Sequence, residues 1–157
     1  MTQEEYKEEA RRLRPQLLQT ARRYLINDDD AEDTVQDVLL RLWQMVDALR
    51  MPIDALAAVL VRNFSIDRQR RNQRPTQVLT SAYEQAEESE TDERIERVLA
   101  MIETLPTMQQ TILRLRHIEG MGMKEIAELT GSSEVAIRKT LSRARLALKQ
   151  QYKKRYE

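Results

Sequence analysis

The sequence contains no cysteine, so it can build neither a disulfide framework nor a thiolate metal site. Its only histidine is His117, with no second imidazole to share a cation, so no metal site, cofactor or catalytic centre is expected around it. Glycine is low, at three residues, and aromatics are limited to one tryptophan, one phenylalanine and five tyrosines. With Glu, Lys, Arg, Leu, Ala and Gln dominant, that composition leaves little strand material and predicts helices. No apolar run approaches the length that spans a bilayer, and the opening MTQEEYKEEARR is too acidic and polar for a signal peptide. A cytoplasmic protein that is not membrane-inserted is the expectation. Net charge is missing too: 26 basic residues balance 26 acidic ones. By itself this argues against a general nucleic-acid binder.

The charges are nevertheless segregated. Residues 27–37 are acidic, 62–74 basic, 84–103 acidic and 134–157 strongly basic. Two basic patches alternating with two acidic ones suggest contact with DNA at two places and with something else between them. The most informative stretch runs from Met123 to Leu148. Ile126, Ala127 and Thr130 give a short first helix one small or apolar face. Gly131 supplies the residue able to adopt positive φ in a tight turn, and Ser132 or Ser133 can cap the next helix. There Ile137, Leu141, Ala144 and Leu148 recur at helical spacing, while Arg138, Lys139, Ser142, Arg143 and Arg145 occupy the other faces. That pattern is a helix-turn-helix whose second helix would enter a DNA major groove. A plain helical hairpin with a solvated basic face is the alternative.

At 157 residues the chain accommodates one domain or two small ones. Leu13, Leu17, Leu18, Ala21 and Leu25 mark a first apolar stripe, expected to be split into two helices just before Pro15. Asn27 to Asp30 offer caps for a strongly periodic helix over 31–49, with Val35, Val38, Leu39, Leu42, Val46 and Leu49 inward. A third helix is expected over 53–71, bounded by Pro52 and Pro75, turning arginine-rich after Phe64. Residues 75–91 lack sustained periodicity and read as an acidic linker with room for a short helical portion. A second unit then begins near residue 92, with a helix ending at Leu105-Pro106, another over 108–118 and a basic, frayed tail. The expected fold is thus all-α: domains over 1–74 and 92–157, a flexible acidic linker over 75–91, and a C-terminal helix-turn-helix.

Two segments together resemble the extracytoplasmic-function (ECF) sigma factors of bacterial RNA polymerase, in the sigma-70 family. DAEDTVQDVLLRLWQ at Asp30–Gln44 is similar to the helix with which that family grips the polymerase clamp. Leu105–Leu148 is similar to its promoter-reading C-terminal domain, and VRNFSID at Val61–Asp67 to the end of its helix at the −10 element. The resemblance implies core-polymerase contacts at Asp33, Gln36, Asp37, Arg41 and Trp43, although Trp43 is equally suited to core packing. It implies contact with opened −10 DNA at Arg62, Asn63, Asp67, Arg68, Arg70 and Arg71. Asn63 and Asp67, four apart, are equally able to make only intrahelical or inter-helix hydrogen bonds. Near the −35 element it places Lys124, Ser132, Ser133, Glu134, Arg138, Lys139, Ser142 and Arg143. Of these, Arg138 is the one suited to a bidentate base contact. Arg143 and Arg145 suit phosphates, or an ion pair with the acidic 92–103 helix.

One departure stands out. Relatives often carry aromatics in the helix leading to this asparagine, for stacking on unpaired bases. Here that helix reads DALAAVLV, and Phe64 is expected in the core. The resemblance implies as partners the polymerase core, promoter DNA and an anti-sigma factor, with no catalysis. Three other readings are a free-standing regulator with an N-terminal dimerisation domain, an enzyme using the Asp28–Asp37 carboxylates as a cation site, and a sigma-like decoy.

Overall fold

The computed structural model describes residues 1–73 and 82–156, with side chains described at 1–73 and 93–155. Among these residues every regular element is a helix. The first is α1, Gln3–Tyr24. It opens with a reciprocal cap: the Glu5 amide donates to Thr2 Oγ1 at 3.1 Å, and the Thr2 amide to Glu5 Oε2 at 3.0 Å. Contrary to expectation, α1 is continuous through Pro15. Pro15 and Arg11 are both exposed, so the carbonyl left without its amide partner is on the solvent side. Meanwhile Leu13, Leu17 and Ala21 hold the opposite face in the core.

Helix α2, Asp28–Gln44, starts at Asn27, whose side chain accepts from the Asp29 amide at 2.8 Å. Three aspartates in its first turn favour the positive end of the helix dipole. It ends at Gln44, earlier than the expected 49. Residues 45–48 form turns that still deliver Val46 and Leu49 to the core. Helix α3, Asp54–Gln73, is tied to α1 by Asp54 against Arg12 at 2.7 Å. The three helices pack about Leu13, Leu17, Val35, Val38, Leu42, Leu56 and Leu60.

The second group begins with α4, Ala82–Glu103, which starts inside the segment expected as linker. The remaining part of that expectation, residues 75–81, lies outside the described residues. Helix α5, Thr107–Leu113, runs on into one wider turn, Arg114–Ile118, where the Glu119 amide donates to the Arg114 carbonyl five residues back. Helices α6, Met123–Thr130, and α7, Glu134–Tyr156, are the helix-turn-helix. Ser133 is the cap used, accepting from the Ala136 amide at 3.1 Å. The tail expected to fray continues α7 to Tyr156, anchored where Gln151 and Thr104 exchange hydrogen bonds of 2.7 and 2.9 Å.

The two groups are closed on each other. Thr107 donates to Gln44 at 2.8 Å, and the Thr111 hydroxyl lies 3.3 Å from the Met45 sulfur. Gly131, at φ +74°, faces Arg50 so closely that a Cβ there would lie 2.8 Å from Arg50 Cβ. Glycine is therefore required twice at this turn, for its conformation and for the approach.

Two stability effects follow. Pro15→Ala should raise stability by about 2 kcal/mol, roughly 3 from helix propensity less up to about 1 for the freer unfolded chain. Urea melts with unchanged m-value would register it, and no gain would mean that α1 does not bear the proline interior. Gly131→Ala should cost about 1–2 kcal/mol from the left-handed backbone, with an added penalty from Arg50 that Arg50→Gly relieves.

Candidate nucleic-acid and polymerase interface

The helix-turn-helix sorts its side chains as the sequence pattern predicts. Ile126, Ala127, Thr130, Ile137, Leu141 and Ala144 are buried. Lys124, Ser133, Glu134, Arg138, Lys139, Ser142 and Arg143 are exposed, and Ser132 is half-buried. Glu134 and Arg138 are one turn apart at 3.9 Å, so the carboxylate steers the guanidinium without burying it. The result is one cationic, hydroxyl-bearing face along the first half of α7, backed by a packed core.

The α2 residues divide. Asp33, Gln36 and Asp37 are exposed. Trp43 is half-buried and packs against Tyr6, ring centroids 5.5 Å apart. Tyr6 donates its hydroxyl proton to the Leu39 carbonyl, and burial pushes its pKa up to about 12. Arg41 turns away from that surface to meet Gln110 and, at 3.8 Å, Glu103. Burial, then the neighbouring charge of Arg114, lowers its pKa. On α3, Arg68 reaches Asp30 at 3.0 Å and Asp33 at 3.6 Å. Arg71 is exposed and Arg70 half-buried.

Arg62, Asn63 and Asp67 are all engaged by the C-terminal group. Glu119 accepts from Arg62 at 2.5 Å and from Asn63 at 3.0 Å. Arg114, 1% exposed, donates from Nη1 to Asp67 Oδ2 at 2.8 Å and to Asn63 Oδ1 at 3.1 Å. Its guanidinium carbon lies 4.4 Å from the Phe64 ring centroid, and that of Arg41 lies 4.5 Å from the same ring. Phe64 is therefore buried in the hydrophobic core, as expected, and also meets two cations there. Of the two readings of Asn63 and Asp67, inter-helix hydrogen bonding is what this closed arrangement contains.

A second feature lies on α4, α5 and α7: an open groove of about 570 Å³ lined by Ile95, Val98, Leu99, Ile102, Ile118 and Leu148. Its rim carries Arg94, His117 and Arg145. Arg145, one of the expected phosphate or ion-pair residues, donates to His117 Nε2 from Nε at 3.3 Å. Partial burial, and then the charges of Arg145 and Arg116, lower the His117 pKa below its ordinary 6.5. Among the described residues no group of three or more His, Cys, Asp or Glu converges as a cation site. None of the described helices is long and apolar enough to cross a membrane.

The family model for Sigma-70 region 2 matches residues 10–75, and that for Sigma-70 region 4 matches residues 95–148. An RNA polymerase sigma-E factor of Streptomyces coelicolor is 28% identical over 154 residues, covering 94% of this chain and 85% of that protein. One from Streptomyces avermitilis is 28% identical over 158 residues, covering 96% and 87%. The chain belongs to the sigma-70 family, as an ECF sigma factor. A probable RNA polymerase sigma factor RfaY of Xanthomonas campestris pv. campestris is 29% identical over 140 residues, covering 81% of this chain and only 35% of that protein. Among solved structures, the sigma factor RpoE, in complex with the anti-sigma factor NepR from Bartonella quintana, covers 98% of this chain at 21% identity and a TM-score of 0.41.

With both regions matched in order, the free-standing regulator is not favoured. The residues that sequence reasoning missed are Arg114, Glu119 and Gln110 of this sigma factor. A signal for Arg114 was present: one arginine set among Ile112, Leu113 and Leu115, at a position that helical spacing puts inward. Glu119 and Gln110 carry no comparable mark.

The His117 contact is open to titration. A neutral imidazole accepts from Arg145, whereas a protonated one faces two arginines. With its folded pKa depressed, the unfolded chain binds the proton more readily. Stability is therefore unaffected above about 6.5 and declines as pH falls below it. An NMR titration should place the midpoint below 6.5, and Arg145→Ala should move it upward. A midpoint at or above 6.5 would contradict the contact.

Proposed function

We propose that this sigma factor directs polymerase to promoters by dividing contacts between its two domains, 1–74 and 92–157, with the intervening 75–91 segment between them. Asp33, Gln36, Asp37, Arg41 and Trp43 grip the polymerase clamp. Arg62, Asn63, Asp67, Arg68, Arg70 and Arg71 contact the opened −10 element. Lys124, Ser132, Ser133, Glu134, Arg138, Lys139, Ser142 and Arg143 lie against the −35 duplex. The observation carrying this reading is the α7 face, whose cations project from a fully packed helix-turn-helix in a chain that also carries region 2. Arginine fits guanine O6 and N7 bidentately, so Arg138 reads sequence while Arg143 holds phosphate. The protein itself carries out no catalysis and acts in the cytoplasm, where polymerase is.

Zero net charge suits that division of labour. One small domain neutralises few phosphates, so affinity for bare DNA should be weak and lost at moderate salt. Polymerase supplies the remaining binding free energy. An anti-sigma factor is the inhibitor we assign. The apolar groove over Val98 and Leu148 supports such a surface, since a solvated groove of that lining favours an apolar partner.

Run-off transcription with bacterial core polymerase and a promoter pool tests the whole reading. Wild type should start transcripts at defined sites. Asp37→Arg should lose core binding, whereas Arg138→Ala should keep it and lose or relax promoter choice. Arg143→Ala should weaken binding evenly across sequences and reduce the salt slope by about one. A core enzyme that neither binds nor is redirected would overturn the proposal.

A further inference from the structure

We infer that the groove between α4, α5 and α7 binds a long-chain fatty acid, with the acyl chain on its apolar floor and the carboxylate at Arg94, His117 and Arg145. The inference goes beyond promoter recognition and adds a small-molecule ligand to the C-terminal domain. Leu99, Ile102 and Leu113, all buried, form the floor, and the exposed Ile95, Val98 and Ile118 form the walls. Solvated apolar walls around a buried apolar floor make a concave site, and its volume of about 570 Å³ lies in the range of small-molecule pockets. A second groove of about 380 Å³ adjoins it at Val98 and Leu148 and carries the apolar lining on to Met101 and Tyr152. From Arg94 to Met101 is about 10 Å along the helix. The two grooves together suit an extended run of methylenes better than a compact ring system.

The charges choose the headgroup. Every residue of the first groove that can carry charge is basic, and the second groove adds Lys149 and Lys153. A border of one sign stands out in a chain whose 26 basic and 26 acidic residues balance. Neither Arg94 nor Arg145 is paired with a carboxylate among the described residues; Arg145 donates to the His117 imidazole. A fatty-acid carboxylate at that rim accepts from Arg145 in a charge-assisted hydrogen bond, stronger than one to a neutral ring. Partial burial, and then the charges of Arg145 and Arg116, hold the His117 pKa low, and a carboxylate beside it acts in the opposite sense. A cationic amphiphile matches the floor but is repelled by the rim. A seated acid covers Val98 and Leu148, so it excludes the apolar partner assigned to that surface above. The binding itself depends on no such partner.

The test uses the full chain with dodecanoate, kept below the concentration at which it forms micelles, and reads calorimetry and NMR signals. Binding should saturate and shift the methyl signals of Ile95, Val98, Ile118 and Leu148. Each methylene removed, through decanoate to octanoate, should weaken it by about two- to fourfold. The His117 midpoint should rise with decanoate and not with decanol. Arg145→Gln should weaken decanoate about tenfold and leave decanol unchanged, a split that a damaged fold does not produce. Val98→Asp, on an exposed wall, should abolish binding of both without lowering the melting temperature. Should that variant melt early, Arg145→Gln and the decanol comparison decide. Decyltrimethylammonium binding as tightly as decanoate would reduce the groove to a general apolar surface and overturn the proposal. A His117 midpoint that decanoate leaves in place would overturn the position of the carboxylate. The same methyl shifts on raising protein concentration alone would mean that a second copy covers the groove, and the proposal falls. It falls also if dodecanoate leaves those methyls unmoved while an acidic amphipathic peptide shifts them, since the occupant is then a protein.

Discussion

The closed arrangement depends on one buried cation. Arg114 is among the largest fully buried side chains, and it sits between domains instead of within either core. Its bonds to Asn63 and Asp67 and its stacking on Phe64 join the wide turn after α5 to the middle of α3. An ion pair so placed stabilises little in net terms, since desolvation offsets most of its Coulomb energy. Its geometry, however, is exacting. The pair helps to fix register between the two helical units, beside the polar contacts of Gln44 with Thr107 and of Arg62 with Glu119.

Other contacts arrange themselves around this one. Arg41 approaches the same ring and is drawn inward by Gln110 and Glu103. Glu119 neutralises Arg62, and Gly131 lets Arg50 approach. Burial first, and then repulsion between the two arginines near one phenylalanine, lower the Arg41 pKa. The closed form therefore contains its own opposing electrostatics.

Much of the fold was legible because helical periodicity reports burial directly. The α2 stripe of Val35, Val38 and Leu42 and the α7 stripe of Ile137, Leu141 and Ala144 are buried where spacing put them. Boundaries were less legible. Pro15 was read as a break, but on an exposed face the lost hydrogen bond is tolerable while Leu13 and Leu17 pack. The 31–49 helix stops at Gln44, because Val46 and Leu49 reach the core equally well from turns. The polar start of α4 read as linker, since a Gln, Glu, Ser and Thr composition carries no apolar period that marks a helix.

The α7 face of the candidate site was visible in the chain, because a helix-turn-helix is local: its glycine, its cap and both helices lie within 26 consecutive residues, Met123 to Leu148. The sequence by itself determined that these side chains point outward and that Arg62 to Arg71 make one basic run. Only the tertiary structure decided that Asn63, Phe64 and Asp67 face Arg114, 47 to 51 residues away along the chain. The reason is physical. Periodicity assigns a residue to the inside or the outside of its own element, but a pairing between two elements depends on how both are docked, and no local spacing carries that information.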